Sequence, residues 1–222
     1  MPQLDQDAHS DAFPIPEVIP IFPLPNVVFF PDTYLPLHIF EPRYRDMIED
    51  ANQDGQCIGM VLLKAGWEDD YHGNPPVFSL GCIGRIKSFQ ALADGRSNVI
   101  LHGLSRYDIE EEFFDTSYRQ AKISLRPNES ALNSVDPSLR LSLTKLALHY
   151  LRKRKAQELC KLITGQFISD TVLINSLSSC LDFTPFEKQF LLESESLYQQ
   201  TRRLIDLLRF KLDAQQHSFE LE

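Results

Sequence analysis

A series of prolines is the strongest constraint on how this chain can fold. Between Val18 and Ile48 the sequence VIPIFPLPNVVFFPDTYLPLHIFEPRYRDMI places six prolines among three short apolar runs. Because proline has no N–H to donate to a β-ladder, we expect these runs to form bent or edge strands. Pro42 suits the first position of a helix, and Tyr44 and Met47 follow at helical spacing. The stretch therefore predicts short strands that lead directly into a helix.

The sequence then continues as strands and turns up to about residue 128. The apolar run Gln56–Lys64 has strand length, and Ala65–Pro76 has the Gly, Asp and Pro content of a loop. Asp94-Gly95 predicts a hairpin turn. Further strands are predicted over Val77–Leu80, Cys82–Leu92, Ser97–Gly103, Ser105–Phe113 and Ser117–Leu125. This front part is therefore predicted to be rich in β-structure, with one inserted helix.

The hydrophobic period changes after residue 128. Arg126–Ser138 has the composition of a linker, and apolar residues recur at helical spacing from Leu139 onward and again over Phe167–Leu181. Thr184-Pro185-Phe186-Glu187 has the form of a capping box, and an apolar stripe from Phe186 runs to about Ala214. We therefore expect a loose leader over 1–16, a β-rich part over 17–128 and a helical part over 129–222.

Four motifs in the front part resemble one known family. LPLHIFEPRY (35–44), GCIGRI (81–86), HGLSRYDI (102–109) and YRQAKI (118–123) are similar, in this order, to segments of the Lon protease amino-terminal domain, also called the Lon substrate-binding domain. The resemblance implies an α+β fold, in which a small PUA-like β-barrel with one inserted helix is followed by a C-terminal helical bundle.

Two further stretches bear on that resemblance. TPFEKQFLLE (184–193) is similar, more loosely, to a phrase before the last helix of the family. Asn26 and Asp32 stand where the family usually has glycine. Since Asn and Asp tolerate positive φ better than other non-glycine residues, both turns are expected to survive.

Net charge and cysteine usage restrict the partners and the compartment. The formal charge is −9, and residues 1–128 hold 19 acidic and 10 basic side chains, whereas residues 129–222 hold 12 of each. A negative field repels phosphate, so nucleic-acid binding is disfavoured, although the basic run Arg152–Lys155 keeps RNA as an alternative to a solvated helix face. The four cysteines are far apart, and the chain shows neither a secretory signal nor an apolar run long enough for a membrane span. We therefore expect reduced thiols and a cytoplasmic location.

Catalytic and metal-binding patterns are weak in this sequence. There is no nucleophile elbow, no phosphate-binding glycine loop and no closely spaced cysteine pair. His38 and Glu41 have the spacing of a helical metal pair, but they fall in a strand-like run. Arg43, Arg85, Arg106 and Arg119 are expected to form ion pairs at strand and helix junctions. We expect no catalytic residue, no metal and no cofactor, and thus a protein that is not an enzyme.

The expected function is binding of proteins or unfolded peptide segments. The resemblance implies the substrate-recognition module of Lon, here without the ATPase and protease modules, which could act with an ATP-dependent protease. We expect contacts from Trp67 and Tyr71 in the acidic loop, and from Phe29 and Tyr34 in the proline-rich stretch, with local packing as the competing explanation for the loop aromatics. Extended segments could dock on barrel edges or in the cleft between the two parts. The alternatives are an RNA-binding PUA-like protein and a cryptic hydrolase or peptidase.

Overall fold

The computed structural model describes residues 14–53, 57–71, 73–126, 135–154 and 168–219, and the single positions 156, 160 and 163. The strands are β1 (Val18–Leu24), β2 (Tyr34–Ile39), β3 (Cys57–Leu62), β4 (Leu80–Ala91), β5 (Ser97–Phe113) and β6 (Gln120–Leu125). The helices are α1 (Pro42–Gln53), α2 (Pro137–Lys153), α3 (Asp170–Cys180), α4 (Pro185–Leu192) and α5 (Leu197–Phe219), and a 3₁₀ turn spans Trp67–Asp70. Most of the predicted leader, and the part of the predicted linker over 127–134, lie outside the described residues.

Five of the strands close into a barrel. The sheet order is β2-β5-β4-β3-β1-β6, and β6 also pairs with β5, which closes the ring and leaves β2 as an outer strand. The pair β1–β3 is parallel and the other pairs are antiparallel. Irregularities at Ile83/Gly84 and Ile86/Ser88 in β4 bend the sheet, as closure of a small barrel requires. The predicted α+β class and the single helix inserted after β2 are confirmed.

The prolines act differently from the prediction. β1 lies inside the ring rather than at an edge, because its residues 18–20 pair with β6 and its residues 21–24 pair with β3. Each proline in β1 therefore removes at most one ladder bond. The run Val27–Phe30 forms no strand, and Phe30 is fully buried in the core. Only β2, with Pro36 in its middle, is the expected edge strand.

Two strands that were predicted separately form one continuous strand in the structure. The strands predicted over Ser97–Gly103 and Ser105–Phe113 are one strand, β5, whose first half pairs with β2 and whose second half pairs with β6. Val77 forms only an isolated bridge with Leu63. Asp32 has a φ of 59°, and it is the non-glycine residue with positive φ in the described part of the chain. The expectation of positive φ is thus met at Asp32 and not at Asn26.

The helical part packs on one end of the barrel. One core cluster joins barrel residues, among them Phe30 and Leu80, to buried residues of α2, α3, α4 and α5. Hydrogen bonds cross this junction: Gln189 Nε2 donates to the Leu80 carbonyl at 3.0 Å, and Arg106 Nη1 donates to the Leu192 carbonyl at 3.1 Å and to the Ser194 carbonyl. The predicted boundary at 128/129 lies outside the described residues and stays a prediction.

The predicted helix start at Thr184 is confirmed, and the predicted apolar stripe is interrupted. Thr184 Oγ1 accepts from the Glu187 N–H at 3.2 Å, and Glu187 accepts in return from the Thr184 N–H at 2.7 Å. The chain then leaves the helix at 193–196, between α4 and α5. Phe186 is 55% exposed, whereas Leu204 is fully buried. The predicted stripe therefore consists of two separate helix faces. The face of α4 that carries Phe186 is exposed, and the face of α5 that carries Leu204 lies in the core.

Candidate functional site

A groove of about 240 Å³ opens on the surface of the barrel. Its walls come from the start of α1, from the loop after the 3₁₀ turn and from the β5–β6 turn. The lining residues are Pro23, Arg43, Tyr44, Leu63, Tyr71, Gly73, Asn74, Pro75, Phe114, Thr116, Ser117, Tyr118 and Arg119. A recess lined by Phe40, Glu41, Pro42, Arg43 and Tyr71 shares two of these residues. We call the groove and the recess together the aromatic groove.

Local sequence chemistry places each wall. Pro42 starts α1 directly after β2, which fixes Arg43 and Tyr44 at the helix entrance. Gly66, with a φ of 86°, turns the chain into the 3₁₀ turn that leads to Tyr71. The β5–β6 turn is tightened by Thr116 Oγ1, which donates to the Tyr118 carbonyl at 2.5 Å.

Tyr44 and Tyr71 form the aromatic centre of the groove. The Tyr44 ring is 4% exposed and lies 4.1 Å from the Phe22 ring. The Tyr71 hydroxyl donates to Glu41 Oε1 at 2.8 Å. Burial raises the pKa of Tyr44 to about 12, and burial followed by the hydrogen bond to Glu41 raises the pKa of Tyr71. Both phenols therefore stay neutral at physiological pH.

Two arginines brace the walls and are themselves paired. Arg43 lies 4.6 Å from the centre of the Tyr44 ring and forms an ion pair with Glu41 at 3.1 Å. Arg119 forms an ion pair with Glu112 at 3.0 Å and donates to the Pro75 carbonyl at 3.0 Å. The predicted ion pairs are thus present at these two arginines. At the other two predicted positions, Arg106 donates to carbonyl groups of the helical part and Arg85 lies 3.9 Å from Cys57 Sγ.

The four residues predicted from sequence do not form one surface. Tyr71 lines the groove, and Trp67 lies 5.6 Å from it, half-buried against the barrel. Tyr34 is 65% exposed on the edge strand β2, where it contacts the His102 ring at 4.9 Å. Phe29 is only 3% exposed because it fills the barrel core, so it offers a partner no surface. Phe29 is therefore corrected to a core residue.

Sequence reasoning missed two exposed aromatic residues that line the groove. Phe40 is 57% exposed and Phe114 is 49% exposed. Phe40 lies inside the LPLHIFEPRY motif, where its outward orientation has no local signal. Phe114 directly follows β5. Its position at the start of a turn is the sequence signal that could have predicted its exposure.

The groove holds hydroxyl groups without the partners of a nucleophile. Ser117 Oγ donates to Asp46 Oδ2 at 2.8 Å. No histidine, lysine or cysteine is among the described residues that line the groove. His38 and Glu41 point to different partners, since His38 Nδ1 lies 2.8 Å from Asn98 Oδ1 while Glu41 bonds Tyr71. The described arrangement can hold a ligand by contact and hydrogen bonding.

Comparison with known proteins gives the family. The model of the substrate-binding domain of ATP-dependent protease La (Lon) matches residues 18–209. Lon protease 2 of Myxococcus xanthus is 28% identical over 204 residues, which are 89% of this chain and 24% of that protein. Lon protease of Anaeromyxobacter dehalogenans is 29% identical over 204 residues, again 89% and 24%. The chain thus spans about a quarter of the length of these relatives.

Solved structures show the same fold. The N-terminal domain of Mycobacterium avium complex Lon protease matches with a TM-score of 0.68 at 19% identity, over 86% of this chain and 98% of that one. A Lon N-terminal domain protein from Xanthomonas campestris matches with a TM-score of 0.62 at 23% identity, over 86% and 97%. The predicted PUA-like barrel is confirmed by these likenesses. Among the described helices, none is both long and apolar enough to cross a membrane. On the match over residues 18–209, this chain belongs to the family of Lon substrate-binding domains.

Proposed function

We propose that this chain binds exposed segments of other proteins in the aromatic groove and presents them to an ATP-dependent protease, and that it does no chemistry itself. One observation carries the proposal: the aromatic groove on the barrel is lined by two large exposed rings, those of Phe40 and Phe114. Aromatic side chains that stand in solvent on a fixed scaffold are favoured anchors for partner chains. Family membership supports a role in recognition of protein substrates.

The groove is better suited to this role than the edge of β2. An added strand needs a row of backbone donors and acceptors, and Pro36 removes a donor from the middle of that edge. The groove instead offers rings and apolar proline surface, with hydroxyl oxygens, such as those of Tyr71 and Ser117, that can accept hydrogen bonds from a bound backbone. Side-chain anchors in the groove therefore replace strand addition as the proposed binding mode.

Both alternatives find less support in the groove. RNA would bring phosphates to a site whose two arginines are already paired with Glu41 and Glu112. A serine hydrolase would need a histidine or lysine base beside Ser117, and the described lining residues include neither, while the Ser117 hydroxyl donates to the Asp46 carboxylate. These contacts therefore favour binding without catalysis over either alternative.

The test is peptide binding with matched phenylalanine variants. Fluorescence anisotropy would follow a labelled, apolar peptide from an unfolded protein on the wild type, on Phe40→Ser/Phe114→Ser and on Phe210→Ser. Phe210 is 66% exposed on α5, so its variant controls for loss of an exposed ring elsewhere. Loss of two anchors, each worth about 1 kcal/mol or more, should weaken binding at least about tenfold in the groove variant. Equal affinity for all three proteins would refute the proposal.

The protease partner and the compartment are further parts of the proposal. We propose a separate ATP-dependent protease in the reducing cytoplasm, which the four free cysteine thiols support. A phenylalanine-based photo-cross-linker at position 114, used in native extract, should capture a protease and its substrates, and capture should be weaker when Phe40→Ser is added. Capture of RNA by both proteins, or an intact cellular mass that includes protease modules, would contradict this part.

A further inference from the structure

We propose that the aromatic groove prefers segments in which an apolar or aromatic side chain is flanked by lysine or arginine. This inference rests on the proposed function, and it adds the chemical class of the segment. It is carried by three carboxylates that only the folded chain brings to the groove walls.

Asp46, Asp50 and Asp70 are each held at the groove by a neutral donor. Asp46 accepts from the Ser117 hydroxyl at 2.8 Å, and Asp50 accepts from the Tyr118 hydroxyl at 2.7 Å. Asp70 accepts from the Asn74 N–H at 3.2 Å. The three donor residues all line the groove. These bonds fix the carboxylates at its rim without cancelling their charge.

The cations of the groove do not balance these charges. Arg43 is paired with Glu41 and Arg119 with Glu112, while no ion pair joins Asp46, Asp50 or Asp70 to a described residue. The wall segments 41–50, 66–75 and 112–119 together hold nine acidic side chains and three basic ones. The rim therefore carries an excess of negative charge around an aromatic floor.

This charge distribution favours one class of occupant. All three aspartates are exposed, so their field acts through water and reaches about one Debye length, roughly 8 Å at physiological salt. A peptide whose apolar side chain enters the groove places its neighbouring residues within that range. Lysine or arginine at those positions gains attraction and a faster association rate, and glutamate or aspartate is repelled.

The experiment compares three peptides of equal length with one aromatic core. The core is flanked by lysine in the first peptide, by glutamine in the second and by glutamate in the third. At about 0.01 M salt, where the Debye length is about 30 Å, we expect the lysine peptide to bind about tenfold tighter than the glutamine peptide. At about 1 M salt, where this length is about 3 Å, the preference should vanish.

A matched pair of triple variants locates the effect. Asp46→Asn/Asp50→Asn/Asp70→Asn keeps side-chain oxygens that accept the same hydrogen bonds and should abolish the preference for lysine. Asp182→Asn/Asp206→Asn/Asp213→Asn makes the same change in net charge in the helical part and should keep it. Unchanged affinity for the glutamine peptide shows that the groove in each variant is folded.

The outcomes separate this inference from the proposed function. If the three peptides bind equally, or if the glutamate peptide binds best, the charge preference is refuted while groove binding stands. If both triple variants lose the preference together, net charge rather than the rim is responsible, and the inference fails. If no peptide binds the wild type, the proposed function fails first and this inference falls with it.

Discussion

Arg119 joins two walls of the groove, and replacing it by methionine tests how much its polar contacts stabilise them. Its side chain is 6% exposed, and its guanidinium donates to Glu112 Oε2 at 3.0 Å and to the Pro75 carbonyl at 3.0 Å. It also lies 5.2 Å from the centre of the Phe114 ring. Methionine keeps the apolar stem and removes every donor, so Arg119→Met isolates the polar contacts from the packing.

The expected loss of unfolding free energy in Arg119→Met depends on whether Glu112 and the Pro75 carbonyl can regain hydrogen bonds from water. Glu112 is 31% exposed and regains water, so loss of the ion pair itself should cost no more than about 1 kcal/mol. The Pro75 carbonyl belongs to a buried residue, and leaving such a group without its donor costs about 1–3 kcal/mol. We therefore expect the free energy of unfolding to fall by about 1–4 kcal/mol in total. Peptide binding should weaken as well, because Arg119 holds the Pro75 and Phe114 walls.

Urea unfolding followed by circular dichroism measures this loss, with unfolding free energies obtained by linear extrapolation. Glu112→Gln is the matched partner, because its amide oxygen still accepts from Arg119, and its own cost should be below about 1 kcal/mol. The loss of unfolding free energy in the double variant should be smaller than the sum of the two single losses by at least about 0.5 kcal/mol. A loss of less than about 0.5 kcal/mol for Arg119→Met, or strict additivity with Glu112→Gln, would refute the bracing role.

Two further predictions concern the helix start and the hairpin turn. Thr184→Ala removes the capping side chain of α4 and should lower the free energy of unfolding by about 1 kcal/mol in urea, whereas Thr184→Ser should be nearly neutral; equal losses would contradict the capping role. Hydrogen bonds from Arg96 lower the pKa of Asp94 from 3.8 to about 2, so the ionised carboxylate favours the folded hairpin above its ordinary pKa, and this contribution is lost as the pH falls through about 2. In a carboxyl NMR titration, Arg96→Gln should return the pKa of Asp94 toward 3.8, and an unchanged titration would contradict the pairing.

Local signals in the sequence predicted the features that depend on a few neighbouring residues. The start of α1 at Pro42, the hairpin turn at Asp94-Gly95 and the capping box at Thr184 are all found where they were predicted. Each depends on backbone preferences or on hydrogen bonds between residues at most four positions apart, so these features depend little on distant parts of the chain. The barrel was predicted from motifs that resemble a family, and the match over residues 18–209 confirms that assignment.

Only the tertiary structure decided which strands are edges, which aromatic rings are exposed and where a groove forms. β1 joined the ring because two different strands reach it, and Phe29 entered the core although Phe40, in the same stretch, remained exposed. The aromatic groove brings together Arg43, Tyr71 and Phe114, which lie far apart in the sequence. Their proximity follows from closure of the barrel, a long-range pairing that side-chain period and turn chemistry do not encode locally. The sequence therefore determined the kinds of elements and the family, and packing between distant elements determined the surface that we propose binds protein segments.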